Sequence, residues 1–214
     1  MTLKKQFLNF NPIAHIRRRI ERSRLVSNVS ILASNCIGGL LYHDLGKQFM
    51  SPTVNTRFPS PDFVKFVCHL EHYLEKTLDF MDTDDGFPVA MLDDVRICFV
   101  HYKTRRDAEH KWEERKKRID FSRLFVLLND NDGMNDSDYR ALDQCAFQNI
   151  CVFTAQDKTE YRCAFQLREF AGKNEIGNSL KRSWLTGEML AQRSFDFVAW
   201  FNQERGTELE CYRR

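Results

Sequence analysis

A chain of 214 residues, 43% hydrophobic and 29% charged, suits one α/β domain with a sizeable core. Its net charge of +2 argues against a dedicated nucleic-acid binder, and seven cysteines without a CxxC pair argue against a disulfide scaffold or structural zinc site. No apolar run approaches the ~20 residues of a membrane span, and no signal-peptide core is present, so the expected location is cytoplasmic.

The charge is uneven. Residues 1–28 carry seven basic side chains against Glu21 alone, a net of +6, while the remainder is acidic. Ile13, Ile16 and Ile20 recur at helical spacing among arginines, which predicts a basic amphipathic helix over 12–24. Such a helix lies on a lipid surface or packs on the domain, so peripheral contact with the inner membrane through residues 1–24 is one expectation.

Val29–Ala33 then reads as an apolar strand, and 38–49 as a helix. Residues 53–58 read as a second strand, and 60–78 as a helix with Ser60 as N-cap and Pro61 in its first turn. A hairpin follows from 88–92 into 94–100. Thr104 opens a charged helix reaching about Ile119, with Asp107 placed for a capping box. Residues 124–128 form a buried strand ending in the turn NDNDG, followed by a short helix. The runs 150–154 and 163–170 are a further strand and an edge strand, and a final helix spans 184–202. Strands alternating with helices predict a mixed, mostly parallel sheet with helices on both faces, a Rossmann-like three-layer α/β domain. The expected divisions are a basic N-terminal segment 1–26, one domain 27–203 and a tail 204–214.

In open α/β sheets ligands bind beyond the carboxyl ends of the parallel strands. Ser34, Asn35 and Cys36 follow the first strand, His101 and Tyr102 follow the strand ending at Val100, and Asp130 and Asp132 follow the strand 124–128. If those strands are parallel, Cys36, His101 and Asp130 have the composition of a nucleophile, its base and an orienting acid. Gly38 and Gly39 open the next helix, where free N–H groups favour an oxyanion or phosphate. His43 and Asp44 lie further along that helix and suit solvent or capping, with His43 a candidate substrate contact. Ala108, Trp112, Arg115 and Ile119 share a face of the charged helix. Arg115 is either a packed partner of Trp112 or, with Arg118, a holder of donor phosphates. Asp130-Asn131-Asp132 is also a short DxD pattern, and NDNDG is equally a turn sequence, so no metal is expected.

The stretches SNCIGGLLYHDLG, SPTVN, SPDFVKF, HYKTRRDAEHKWEERKKRI, LFVLLNDNDG and VFT, in that order, resemble a bacterial exopolysaccharide-locus family known as a domain of unknown function, DUF1919. The resemblance covers roughly residues 23–202 and leaves the basic leader and the tail outside. It implies an α/β fold and a role in capsule, exopolysaccharide or lipopolysaccharide assembly. The family pattern has an acidic-basic-acidic turn near Asp130–Asp132, where this chain carries Asn131. The strand-then-Asn-Cys opening is also similar to a polysaccharide acetyltransferase family that binds coenzyme A.

These readings lead to an expected transferase acting on a sugar or lipid-linked oligosaccharide precursor, moving an acyl group from a coenzyme A thioester to a sugar hydroxyl. Cys36, His101 and Asp130 are its expected catalytic residues. Ser34, Asn35, Gly38, Gly39, His43, Tyr102, Trp112, Arg115, Arg118 and Asp132 are its expected binding residues. A nucleotide-sugar glycosyltransferase and a non-enzymatic assembly partner are the alternatives.

Overall fold

The computed structural model of the protein describes residues 11–214. Helix α1 (Pro12–Arg24) is capped by the Asn11 side chain and leads to strand β1 (Ser30–Ala33) and helix α2 (Ile37–Leu45). Helices α3 (Ser60–Cys68) and α4 (Leu70–Glu75) follow, then strands β2 (Asp79–Met81), β3 (Val89–Leu92) and β4 (Val95–Cys98). Helix α5 (Arg105–Lys116), β5 (Leu124–Asn129), α6 (Asp136–Gln144), β6 (Ile150–Thr154) and β7 (Ala164–Gln166) complete the central part. Two short helices, α7 (Leu190–Ser194) and α8 (Phe197–Phe201), come last.

The four parallel strands stand in the order β1-β5-β6-β7, and β2-β3-β4 form a separate antiparallel sheet. Every residue of β1, β5 and β6 is buried, as expected of parallel strands covered on both faces. The two-residue period sends Ile31, Ala33, Phe125, Leu127 and Phe153 to one face, packed under α2, α7 and α8. Leu32, Val126, Leu128 and Val152 face the other way, under α3, α5, α6 and the antiparallel sheet. The expected three-layer, Rossmann-like α/β arrangement is therefore present.

Strand β1 is an edge strand, and its outward N–H groups would be a pairing hazard if left open. Side chains seal it instead. The Ile31 N–H donates to the Tyr42 hydroxyl at 2.7 Å and the Ala33 N–H to Thr53 Oγ1 at 2.9 Å. Segment 53–58 thus closes the edge by side chain rather than as the expected strand. Asn55, at φ 65°, breaks its extension, and only Arg57 makes a ladder-type bridge, to Cys98.

Three further expectations change. The helix expected over 60–78 breaks at His69, whose φ of −126° separates α3 from α4. Ser60 does not cap α3; its buried hydroxyl donates to the Asn129 carbonyl at 2.8 Å. The expected final helix is reduced to α7 and α8, because Phe195 turns extended and bridges Arg213, while the Asp196 carboxylate starts a new helix by accepting from the Ala199 N–H. Thr104 does cap α5, accepting from the Asp107 N–H, although that helix stops at Lys116.

Asp44, expected at solvent or a cap, is wholly buried and gathers α1 and α7 around α2. Arg182 grips it in two-pronged fashion at 2.9 and 3.3 Å, Arg18 Nε lies 2.9 Å away, Arg17 3.5 Å and Gln192 3.3 Å. Residues 12–26 are thereby tied into the domain; residues 1–10 lie outside the described part. Residues 204–214 are also packed: Tyr212 is buried, the Arg213 guanidinium covers the Phe165 ring at 4.1 Å, and Arg214 pairs with Glu188 at 3.0 Å. Among the described residues no helix is long and apolar enough to cross a membrane.

Candidate functional site

The carboxyl edge of the parallel sheet carries the polar residues that chemistry would use. Strand order follows chain order across this sheet, so no reversal opens the switch-point crevice typical of doubly wound sheets. The edge is instead knitted together from loops. The Ser34 N–H donates to the Leu127 carbonyl at 3.0 Å, and the Ser34 carbonyl accepts from the Phe58 N–H at 2.8 Å. Asn129 Nδ2 donates to Ser179 Oγ at 3.3 Å, bringing the segment before α7 over the strand end.

Asp130 stands at the centre. Its N–H continues the ladder by donating to the Phe153 carbonyl, which holds the residue rigidly one step beyond β5. Its Oδ2 accepts from the Tyr139 hydroxyl at 2.8 Å and the Thr154 hydroxyl at 3.3 Å. Burial pushes the Tyr139 phenol up, and Asp130 adds to that, so Tyr139 keeps its proton and donates. Asp130 Oδ1 takes no hydrogen bond among the described residues. Asp132, two residues on, has φ 58° and pairs instead with Arg57 at 3.2 Å. The two carboxylates therefore serve different partners rather than converging as a DxD metal pair. Among the described residues no group of three or more His, Cys, Asp or Glu side chains gathers as a cation site.

Cys36 sits half-buried at the N-cap of α2, where burial pushes its thiol up. The helix start lowers a thiol only where the site is open, and here desolvation wins. The parallel-strand premise fails for His101. Strand β4 belongs to the antiparallel sheet, and His101 is exposed beyond it. Among the described residues no hydrogen bond or ion pair joins Cys36, His101 and Asp130.

The glycine pair has a packing reason. A Cβ on Gly39 would come 3.0 Å from Asn55 Oδ1 and 3.2 Å from Val54, and one on Gly38 would come 3.2 Å from the Ala33 Cβ. Both glycines are buried, Gly39 beneath the edge-sealing loop and Gly38 against β1, so their close approach is to protein. Asn35 Oδ1 accepts from the Ile37 N–H and closes the turn before the helix. His43 is exposed, 3.8 Å from the buried Asp44.

The remaining expected contacts form a separate strut. Arg115, buried beside Trp112, donates to the Tyr102 hydroxyl at 2.6 Å, and Tyr102 donates to the Val54 carbonyl at 2.9 Å. Arg115 also stacks on Phe49, and Arg118 donates to the Phe49 carbonyl at 3.1 Å while pairing with Glu114. These guanidiniums hold the loop that seals β1.

Sequence reasoning missed Tyr139, Arg57 and Ser179. They lie on a helix face and in loops whose relation to β5 no local pattern encodes. Thr154 was legible as a strand end.

The family model described as a domain of unknown function (DUF1919) matches residues 9–202. A protein of Haemophilus influenzae, described as an uncharacterized protein, is 31% identical over 187 residues, covering 87% of this chain and 90% of that one. The match begins at residue 9, before α1, and so takes in the basic helix that the sequence resemblance had left outside. A fold whose docked N-terminal helix lies within the matched region agrees with that extent, and this chain belongs to the DUF1919 family.

Proposed function

We propose that this protein is a transferase of bacterial surface-polysaccharide assembly, with Asp130 as the base that takes the proton of a sugar hydroxyl. The supporting observation is the Asp130 carboxylate at the end of a central strand, held through Oδ2 by the Tyr139 hydroxyl with Thr154 Oγ1 3.3 Å away, and with no hydrogen bond to Oδ1 among the described residues. A carboxylate so held can act as a general base toward a hydroxyl brought within hydrogen-bond reach. The sugar oxygen attacks the carbonyl carbon of an activated ester or thioester. A C–O bond forms, the donor's leaving group departs with its electron pair, and the hydroxyl proton passes to Asp130. Arg57, held beside Asp132 yet largely exposed, supplies charge for an anionic donor or acceptor group. This direct route needs no covalent intermediate on Cys36, whose thiol keeps its proton. The acceptor is a sugar or lipid-linked oligosaccharide precursor in the cytoplasm, a reading drawn from the family resemblance.

Purified protein incubated with an oligosaccharide acceptor and either an acetyl thioester or a nucleotide sugar tests this by the mass of the acceptor. Gain of one acetyl group is expected, with Asp130→Asn slowing turnover about 10²–10⁴-fold and Cys36→Ala leaving it intact. Gain of a glycosyl unit, no gain from either donor, or full turnover by Asp130→Asn would overturn it.

A further inference from the structure

We propose that the outer face of α1, together with Trp184 and Leu185, docks the protein on the surface of an anionic lipid bilayer. The inference is independent of the transfer reading.

A helix docked on a domain normally turns its apolar stripe inward. Here α1 buries Ala14 and Glu21 and leaves Ile13, Ile16 and Ile20 outside, each about half exposed. Segment 184–187 runs beside its first turn: Asn11 Nδ2 donates to the Trp184 and Leu185 carbonyls, both at 2.9 Å, and Arg17 Nε donates to the Thr186 carbonyl. Those bonds pin the backbone while the Trp184 side chain stays 88% exposed and Leu185 46%. The result is an exposed isoleucine stripe on α1 with an exposed tryptophan and leucine held beside the start of the same helix. Tryptophan favours the bilayer interface, where its ring is apolar and its N–H finds a polar partner.

Charge selects the occupant. The isoleucines border an open groove of about 330 Å³ rimmed by Arg17, Arg24 and Arg214. The groove's own arginines pair with its two carboxylates, Glu21 with Arg17 at 2.5 Å and Glu188 with Arg214 at 3.0 Å, and Arg24 pairs with Asp196 at 3.2 Å, so the attraction rests on the excess of five arginines over Glu21 alone along α1. Arg19 lies exposed on the polar flank of the same helix, while Arg22 turns to α2 and donates to the Asp44 and His43 carbonyls at 2.8 and 3.2 Å. An isoleucine stripe flanked by arginines suits acyl chains below and anionic headgroups around it. Residues 1–10, outside the described part, add Lys4, Lys5, Leu3, Phe7, Leu8 and Phe10 to the same end of the chain.

Tryptophan emission reads the event directly, because Trp112 and Trp200 are buried and only Trp184 is open to a changing environment. The full chain is titrated with vesicles of phosphatidylglycerol and phosphatidylethanolamine, then with phosphatidylcholine alone. A blue shift with the anionic vesicles is expected, weakened by high salt and at least about tenfold weaker with phosphatidylcholine. The double variant Ile16→Ser/Ile20→Ser lowers vesicle co-sedimentation about tenfold, with far-ultraviolet circular dichroism unchanged because both sites face out. Trp184→Phe abolishes the emission shift while retaining most of the co-sedimentation. Absence of binding to anionic vesicles, or equal binding to phosphatidylcholine, overturns the proposal. So does Trp184 shielded from acrylamide without lipid, whether the shielding depends on protein concentration, as for a second copy, or is lost on deleting residues 1–10.

Discussion

Helices α1 and α5 are both rich in arginine, yet they dock by opposite logic. Helix α5 buries Ala108 and Trp112 and turns most of its charges outward, where Lys111 pairs with Glu114 and Lys116 with Glu113 inside the same helix; Arg115 alone is buried, against the Tyr102 hydroxyl. Helix α1 instead leaves its isoleucines out and sends its arginines to other elements: Arg17 and Arg18 to Asp44, Arg24 to Asp196. Charges paired within a helix exert no pull on its orientation. Charges paired with a buried carboxylate elsewhere do, because Asp44 could not stay ionised in the interior without them. One acidic residue on α2 thus turns an amphipathic helix over.

That contrast is open to attack at both helices. The largest effect is expected for Trp112→Ala in α5. Trp112 is fully buried against Phe66 and Phe99, and its loss should cost about 3–5 kcal/mol in chemical denaturation. Asp44→Asn comes next, at about 3 kcal/mol, since it leaves Arg182, Arg18 and Arg17 without their common partner. Its signature is local as well: amides of α1 should lose hydrogen-exchange protection while those of β5 keep theirs.

Acid should imitate that substitution. Burial alone would raise the Asp44 pKa, but Arg182, Arg18 and Arg17 outweigh it and hold the carboxyl below its ordinary range. The folded state therefore keeps Asp44 ionised to lower pH than the unfolded chain does. Its stabilising contribution is complete at neutral pH and fades as pH falls through the folded-state pKa. Denaturation midpoints measured from neutral to acid pH should fall more steeply for the wild type than for Asp44→Asn; parallel curves would falsify the assignment. The smallest effects close the series. A double-mutant cycle on Glu113 and Lys116 should give about 0.3–0.5 kcal/mol, and Ile16→Ser should shift stability by no more than about 0.5 kcal/mol.

How much of this was legible can be judged from particular residues. Strands β1, β5 and β6 were readable because buried parallel strands write themselves as unbroken β-branched and aromatic runs. The hairpin β3–β4 and the Thr104 cap were readable because a turn and a cap are chemistry within a few residues. The break at His69 and the turn at Phe195 carry no proline or glycine and answer to packing. The polar strand ends were legible as a set of residues, but not which of them would meet. Asp130 was visible after its strand, whereas Tyr139 reaches it only because α6 folds back along β5. His101 was set beside them on the premise of parallel strands, and β4 joined a different sheet.

Residue order by itself determined the α/β class, most strand positions and the position of Asp130 after a buried strand, because these depend on side-chain period and near neighbours. Only the tertiary structure decided that Asp44 is a buried hub, that Arg115 braces a loop through Tyr102, and that the isoleucines of α1 face outward. Each of those outcomes turns on a charge finding its partner across many residues of chain, and the free energy of a buried ion depends on everything packed around it.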